Sequence, residues 1–406
     1  MAVKRTKRIN ISRVMHTIWT SRETSRVEIA RALGLDKSTV SSIVNELIEL
    51  GLISETREGS AGPQGGRKPV HITLNGRFGC VLGIELRPES YTAVGVDLNG
   101  EVVFSKYEKM EVAGGNLKET IRDIVERVDV ERDRCGLSLL GIGVGLSGVI
   151  NPHSGVIRFS IPLKLDEPVH LYEEMAEEFD VPFLIENDAN ACAWGELAFH
   201  RHREIQDFLF CLVEFRDLHS KELIHEKTSV GFGIAMGGAV HYGHEYSAGE
   251  FRSILRGPEH YGQFAITRDE AFRIEEDPAV MERFIRELSS HVALFVNTFN
   301  LSHIFLGGSL DFEGNSVRDI LSEEIDRNWP YPNPVSTQIS YSSLRERAVA
   351  YGAAGMVLER MFADIELVRG VTREGGWDSA LLPGVALAEG RLAPPISDTS
   401  SGNEKA

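Results

Sequence analysis

Two groups of residues in this sequence carry side chains suited to recognition. Lys37, Ser38, Thr39, Ser41, Ser42 and Asn45 fall close together. They are short donors and acceptors with one cation among them, a set that suits DNA base edges and phosphates. Further on, Asn187 and Asp188 stand side by side, and Glu250 follows Ala248-Gly249. An amide beside a carboxylate offers donors and acceptors to the hydroxyl groups of a ligand. A carboxylate within hydrogen-bond reach of a hydroxyl can also take its proton. The plainer expectation is that Asp188 caps a helix beginning at Ala189. His241-x-x-His244-Glu245 has the spacing of metal ligands but falls in an expected hairpin loop, where hydrogen bonds to a ligand or to loop backbone are expected instead. His200 and His202 read as surface. Cys80, Cys135, Cys192 and Cys211 are far apart with no Cys-x-x-Cys pair, so neither a thiolate zinc site nor a disulfide framework is expected.

The first group needs a helix to present it. Val40, Ile43, Val44, Leu47 and Ile48 form one apolar stripe at helical spacing, and the six polar residues occupy the opposite face. Before it, Ser25-Arg-Val-Glu28 is a capping box opening a helix that presents Val27, Ile29, Ala30 and Leu33 and breaks at Gly34. Asp36 is placed to cap the third helix. Ile11, Val14, Met15 and Ile18 mark a first helix, with Asn10 as its expected cap. Two short helices and a tight turn make a helix-turn-helix. Leu52–Glu55 and Val70–Leu74 read as two strands, and the Gly-rich loop between them carries Arg57, Arg67 and Lys68. This loop is a candidate wing whose cations enter a narrow minor groove, or else a linker. The first 75 residues hold 12 basic and 7 acidic side chains, net +5, while the remainder of the 406-residue chain is −22. A basic end on an acidic body is the pattern of a small polyanion-binding module attached to a different machine.

The body reads as α/β. Residues 81 to 107 alternate as a three-stranded meander, followed by a helix near 117–128 and a buried strand over 139–146. Phe183–Ile185 is a strand running into a helix from Ala189. Strands over 208–215 and 230–236, a long helix near 280–299 and a strand over 303–306 make a second unit. Ligands in such two-unit folds sit in the cleft between lobes. Expected divisions are a winged helix-turn-helix over 1–75, one lobe over 76–186 with a helix returning near 345–362, a second lobe over 187–344, and a disordered tail over 391–406. No apolar run reaches the ~20 residues of a membrane span, and no apolar signal core follows the basic N-terminus. A cytoplasmic protein is expected.

Gly143-Val-Gly-Leu-Ser-Gly148-Val-Ile-Asn151, Ile185-Glu-Asn187-Asp188-Ala-Asn-Ala191, Ala248-Gly249-Glu250-Phe251 and Phe305-Leu-Gly307-Gly308 follow one another behind the winged helix. In order and spacing, over about residues 10–360, the chain resembles the ROK family of bacterial repressors and sugar kinases. The resemblance implies an actin-like, ribonuclease-H-like two-lobed fold. It also implies sugar contacts from Gly148, Asn187, Asp188 and Glu250, with Asp188 in the position of the kinase general base. Family members with a winged helix in front are usually carbohydrate-responsive transcriptional repressors.

The departures bear on activity. Where the kinases carry an Asp-x-Gly-Gly-Thr phosphate loop, this chain has Glu85-Leu-Arg-Pro88-Glu89. Proline removes an N–H donor and Glu89 is expected to set a negative charge where phosphate would lie. Val230 stands where a second phosphate turn usually has Thr. Ser253 replaces the His of the family's zinc site, and 254–267 contains no cysteine, so the tetrahedral thiolate site cannot form. The expectation is therefore a sugar-responsive repressor that binds neither ATP nor zinc and catalyses nothing. It would act as a homodimer or dimer of dimers on an inverted-repeat operator in double-stranded DNA. The alternatives are a sugar kinase with an added DNA-binding head, and a DNA-binding scaffold whose body takes no ligand.

Overall fold

The computed structural model describes residues 2–21, 23–56, 70–112, 114–200, 205–216, 227–260, 262–312, 315–333 and 335–363. Arg57, Arg67, Lys68, His202 and the 391–406 tail lie outside the described residues.

The head comprises helices α1 (Ala2–Ser21), α2 (Arg26–Leu33) and α3 (Lys37–Glu49) with strands β1 (Ile53–Thr56) and β2 (His71–Leu74) paired antiparallel. Ser25 caps α2, accepting from the Glu28 N–H, and Gly34 ends it in the left-handed conformation. Asp36 occupies the cap position of α3 without a side-chain cap bond. Val40, Ile43, Val44 and Leu47 are buried as their spacing requires. Two expectations are corrected. Asn10 is inside α1 and not its cap, because no Gly or Pro interrupts the chain upstream and the helix runs back to Ala2. Val27 is exposed, since α2 is short and buries only Ile29 and Ala30.

The body holds two five-stranded sheets of one design. In the first, β3 (Cys80–Arg87), β4 (Ser90–Asp97) and β5 (Val102–Lys109) form an antiparallel meander. Helix α4 (Leu117–Cys135) leads to β6 (Leu139–Leu146), parallel to β3. Strands β7 (Val149–Asn151), β8 (Val156–Phe159) and β9 (Val169–His170) make a small separate sheet, and short α5 (Leu171–Met175) precedes β10 (Phe183–Asn187), parallel to β6. The order is β10-β6-β3-β4-β5.

Helix α6 (Asp188–Phe199) crosses to the second sheet, where β11 (Phe208–Phe215), β12 (Thr228–Met236) and β13 (Ala239–Val240) are the antiparallel part. Helices α7 (Arg268–Arg273) and α8 (Pro278–Phe299) lead to β14 (His303–Gly308), and α9 (Asn315–Arg327) leads to β15 (Gln338–Tyr341). Both β14 and β15 run parallel, giving the order β13-β12-β11-β14-β15. The repeated pattern, an antiparallel meander extended by two parallel strands, is the two-lobed fold that the resemblance implies. Helix α10 (Ala348–Ala363) returns to pack on β3, β6 and α6.

One apolar cluster runs through head and body, from Ile11, Val14 and Trp19 to Val81, Leu184, Phe199, Val357 and Phe362. The head is therefore docked on the body by buried side chains, and the hydrophobic effect holds it there.

Candidate functional site

Among the described residues the polar face of α3 is left open to solvent. Lys37, Ser38, Ser42 and Asn45 are exposed, with Thr39 and Ser41 half-buried. Arg26, which sequence reasoning passed over, donates from Nη2 to Asn45 Oδ1 at 3.0 Å and pairs with Glu55. It braces α2, α3 and β1 at the edge of this face.

The second site lies where β10 turns into α6. Asn187 is the N-cap of α6: its Oδ1 accepts from the Asn190 N–H at 3.1 Å, and its Nδ2 donates to the Gly148 carbonyl at 3.0 Å. The capping role expected of Asp188 thus belongs to Asn187, because the helix begins one residue earlier than Ala189. Asp188 sits in the first turn, where the positive end of the helix dipole favours an anion. It accepts the Ala189 N–H at 2.8 Å and a hydrogen bond from Ser147 Oγ. Burial raises its pKa, Glu214 raises it further, and the Ser147 bond offsets part of the shift. Gly148 has φ +139°, and a Cβ there would lie 2.4 Å from the Phe159 carbonyl oxygen. Only glycine lets the β7–β8 ribbon fold over the corner. Glu250 follows Gly249 in the loop after β13. Its pKa is raised by the protein around it and then by the charge of Asp188.

A buried polar knot supports this corner. Glu186 is fully buried and accepts from the Asn187 N–H at 2.9 Å, Asn190 Nδ2 at 3.4 Å and Tyr242 Oη at 2.7 Å. Trp194 Nε1 donates to Tyr242 Oη at 3.0 Å. Burial pushes the Glu186 pKa up to about 7 in spite of these donors. His153 meets Tyr242 and Tyr246 edge-on, at centroid separations of 5.5 and 5.6 Å. His241, His244 and Glu245 are exposed here, and Glu245 interacts with Arg158. Among the described residues no group of three or more His, Cys, Asp or Glu could hold a metal ion.

The region corresponding to the phosphate loop is filled by side chains. Glu89 lies in the β3–β4 turn and is exposed, so the expected repulsive role of that residue is corrected. The alternation of β3 instead aims Glu85 and Arg87 inward. Arg87 Nε donates to Glu85 Oε1 at 2.7 Å and Nη2 to Glu214 Oε1 at 2.8 Å, joining β3 of one sheet to β11 of the other. Arg216 Nη2 reaches Glu214 Oε2 at 3.2 Å and Ser147 Oγ at 3.4 Å, and Ser147 holds Asp188. Burial raises the Glu85 pKa to about 7 even beside Arg87, and its Oε2 is buried without a partner. Burial alone would raise Glu214 too, but Arg87 and then Arg216 hold its carboxyl below the usual range. A proton on Glu85 leaves two guanidinium groups facing the carboxylates of Glu214 and Asp188, a balanced set. The space left between Glu85, Arg87, Ser147, Asp188, Glu214 and Arg216 is about 10 Å³, room for one water molecule.

Three more expectations are settled by position. Val230 is within β12 and not in a turn, and its N–H is taken by Gln263 Oε1 at 2.7 Å. Ser253 is buried against His291 Nε2 at 3.0 Å. His200 is not simply a surface residue: its ring bonds Glu196 and Ser343 Oγ and stacks over Phe305. Sequence reasoning missed Ser147, Glu214, Arg216, Glu186 and Tyr242, whose partners lie far away in the chain. Ser147 and Glu186 alone had a signal, standing next to Gly148 and Asn187.

Comparison with known proteins agrees with both parts. Residues 81–259 match the ROK family and residues 13–62 the MarR family. The xylose repressor of Caldicellulosiruptor bescii is 26% identical over 395 residues, covering 88% of this chain and 97% of its own. A crystal structure of a ROK family transcriptional regulator, described as a homologue of the E. coli MLC protein, superposes with a TM-score of 0.69 at 21% identity, over 91% of this chain and all of that one. A ROK family glucokinase from Streptomyces griseus, solved with glucose and AMPPNP, shares the fold over 68% of this chain and 99% of its own, with a TM-score of 0.52 at 18% identity. No helix among the described residues is long and apolar enough to cross a membrane. The chain thus carries a ROK family domain behind a MarR-type winged-helix domain.

Proposed function

We propose that the protein is a carbohydrate-responsive transcriptional repressor that does not phosphorylate its ligand. The observation carrying this reading is the unequal state of the interlobe cleft. Asn187, Asp188 and Glu250 are its candidate hydroxyl-binding corner, while the guanidinium groups of Arg87 and Arg216, beside the place a nucleotide's phosphates would need, are already paired with Glu85 and Glu214. The full-length likeness to a xylose repressor supports the same reading. In it, Lys37, Ser38, Thr39, Ser41, Ser42 and Asn45 enter a major groove, and Arg57, Arg67 and Lys68 extend the contact. Two copies set their heads on an inverted repeat. The sugar lies against Gly148, with hydroxyls donating to Asp188 and Glu250. The sugar changes DNA affinity only through a difference in its own affinity for the DNA-binding and released states.

The glucokinase-like body and the position of Asp188 favour a second reading, a kinase with a DNA-binding head. Against it, a phosphate group brought there would find the guanidinium groups of Arg87 and Arg216 already paired with Glu214 and a space of about 10 Å³. The donor set after Glu250 does not fit zinc either, for it lacks thiolates and its Ser253 is engaged with His291. Melting curves against a panel of pentoses and hexoses, with and without MgATP, test the choice. Stabilisation by one sugar with no ADP formed is the expected result, and ADP formation lost in Asp188→Asn would replace this reading with the kinase.

A further inference from the structure

Helix α6 has the candidate sugar corner at one end and the DNA-binding head at the other. Asn187 and Asp188 open it, and Phe199 closes it. Phe199 stacks on Tyr351 of α10 at 3.9 Å and 14°, and meets Trp19 of α1 edge-on at 6.3 Å. Trp19 has no exposed surface. Its Nε1 donates to Glu359 Oε1 at 2.8 Å, and its ring lies 4.8 Å from that of Phe362, both on α10. A head residue is thus held on three sides by α6 and α10.

These two helices meet backbone to backbone. A Cβ on Gly352 of α10 would lie 1.9 Å from the Ala191 carbonyl oxygen of α6, and one on Gly195 of α6 would lie 3.1 Å from the Gly352 Cα. A close-packed contact of this kind transmits displacement from one helix to the other. The opposite side of α6 is fastened to the second sheet. Gly233 of β12 packs under the Ala189 carbonyl, and Trp194 is bonded to Tyr242. Movement of that sheet against the first therefore acts on α6 along its length, and the twelve residues carry it about 17 Å to Trp19.

We propose that α6, locked to α10, is the lever that couples the sugar corner to the DNA-binding head, with Trp19 as the point where the head takes up the motion. The inference rests on the repressor reading and adds its route. Trp19 is a positioning residue: it touches neither DNA nor sugar, and its substitution should alter the coupling and little else. Trp19→Phe keeps an aromatic ring but loses the bond to Glu359, and Glu359→Gln weakens that bond from the other side with no change of volume.

The test measures a thermodynamic cycle on the full chain. Affinity for a duplex selected from a random library is measured with and without saturating D-xylose, D-glucose or N-acetyl-D-glucosamine. Affinity for the active sugar is then measured with and without that duplex. In the unaltered protein the two ratios should agree, at about tenfold or more. In Trp19→Phe combined with Phe199→Leu, each separate affinity should stay within about threefold while the coupling ratio falls towards one. Glu359→Gln should fall between, which guards against a double variant that folds poorly. Coupling that persists at full size in both variants overturns the lever and leaves the repressor reading standing. A protein that binds DNA but none of the sugars, or whose DNA affinity ignores them, overturns both.

Discussion

The two halves of the interlobe cleft are made from the same kinds of side chain and arranged for opposite ends. In the proposed phosphate half, Arg87, Glu214 and Arg216 satisfy one another, and burial raises the Glu85 pKa to about 7. In the proposed hydroxyl half, Asp188, which also borders that small space, accepts one backbone and one side-chain bond, and Glu250 is exposed. A carboxylate has about four acceptor positions, so Asp188 keeps capacity for a ligand's hydroxyls. Charge alone does not make a binding site. What matters is whether its hydrogen-bonding capacity is already used. Arg87 and Glu214 tie together the two sheets, and on the proposed reading they do so where a nucleotide's phosphates would otherwise lie.

Arg87→Met should break the filled half most strongly. It leaves Glu214 with one partner and Glu85 with none, both largely buried. Losing a partner of a buried pair costs about 3–5 kcal/mol, and the low end, about 3 kcal/mol, is expected because Arg87 itself is 42% exposed. Urea unfolding reads this directly. A loss below about 0.5 kcal/mol would show that the array does not hold the lobes together.

In the open half, Asp188→Asn should weaken sugar binding about 100-fold, since hydrogen bonds to a charged group contribute about 1.5–3 kcal/mol each. DNA affinity should stay within about threefold. Calorimetry with the active sugar and anisotropy with its duplex separate the two. Equal loss of both would point to misfolding and erase the distinction between the halves.

The supporting knot sharpens the comparison through pH. Glu186, raised by burial from 4.5 to about 7, keeps in the folded state a proton that the unfolded chain releases near 4.5. That stabilisation is complete below about pH 4.5 and is lost as pH rises through 7. Glu186→Gln should remove a fall of roughly 3 kcal/mol across this window, leaving the flatter curve due to Glu85. Melting temperatures from pH 5 to 8 measure it, and an unchanged slope would place the proton elsewhere. Lys37→Ala, far from the cleft, should have the smallest effect. It should weaken DNA binding several-fold and lower the salt slope by about one, with sugar affinity unchanged.

The head was largely legible, because its information is local. The stripe of Val40, Ile43, Val44 and Leu47, the Ser25 cap and the Gly34 stop are written within a few turns of chain. Asn10 and Val27 were misplaced where no local signal marks how far a helix extends or which edge of a short one is covered. The Asn187-Asp188 corner was legible as a contiguous motif, though which residue caps the helix depended on where β10 ends. The filled half was not legible. Its partners, at positions 85, 87, 147, 214 and 216, meet only when both sheets are built, and the turn residue Glu89 drew the charge argument to the wrong carboxylate. Trp19 resembles any core tryptophan in sequence, and only the docked fold shows that it bridges domains.

The central claim is that a sugar in the open half governs DNA binding while the filled half takes no nucleotide. Anisotropy of a labelled duplex bound to the full chain, titrated with sugars in the presence and absence of MgATP, tests it most directly. The account predicts release by one sugar, along the same curve with or without MgATP. Release that requires MgATP, or a duplex that no sugar displaces, would contradict it.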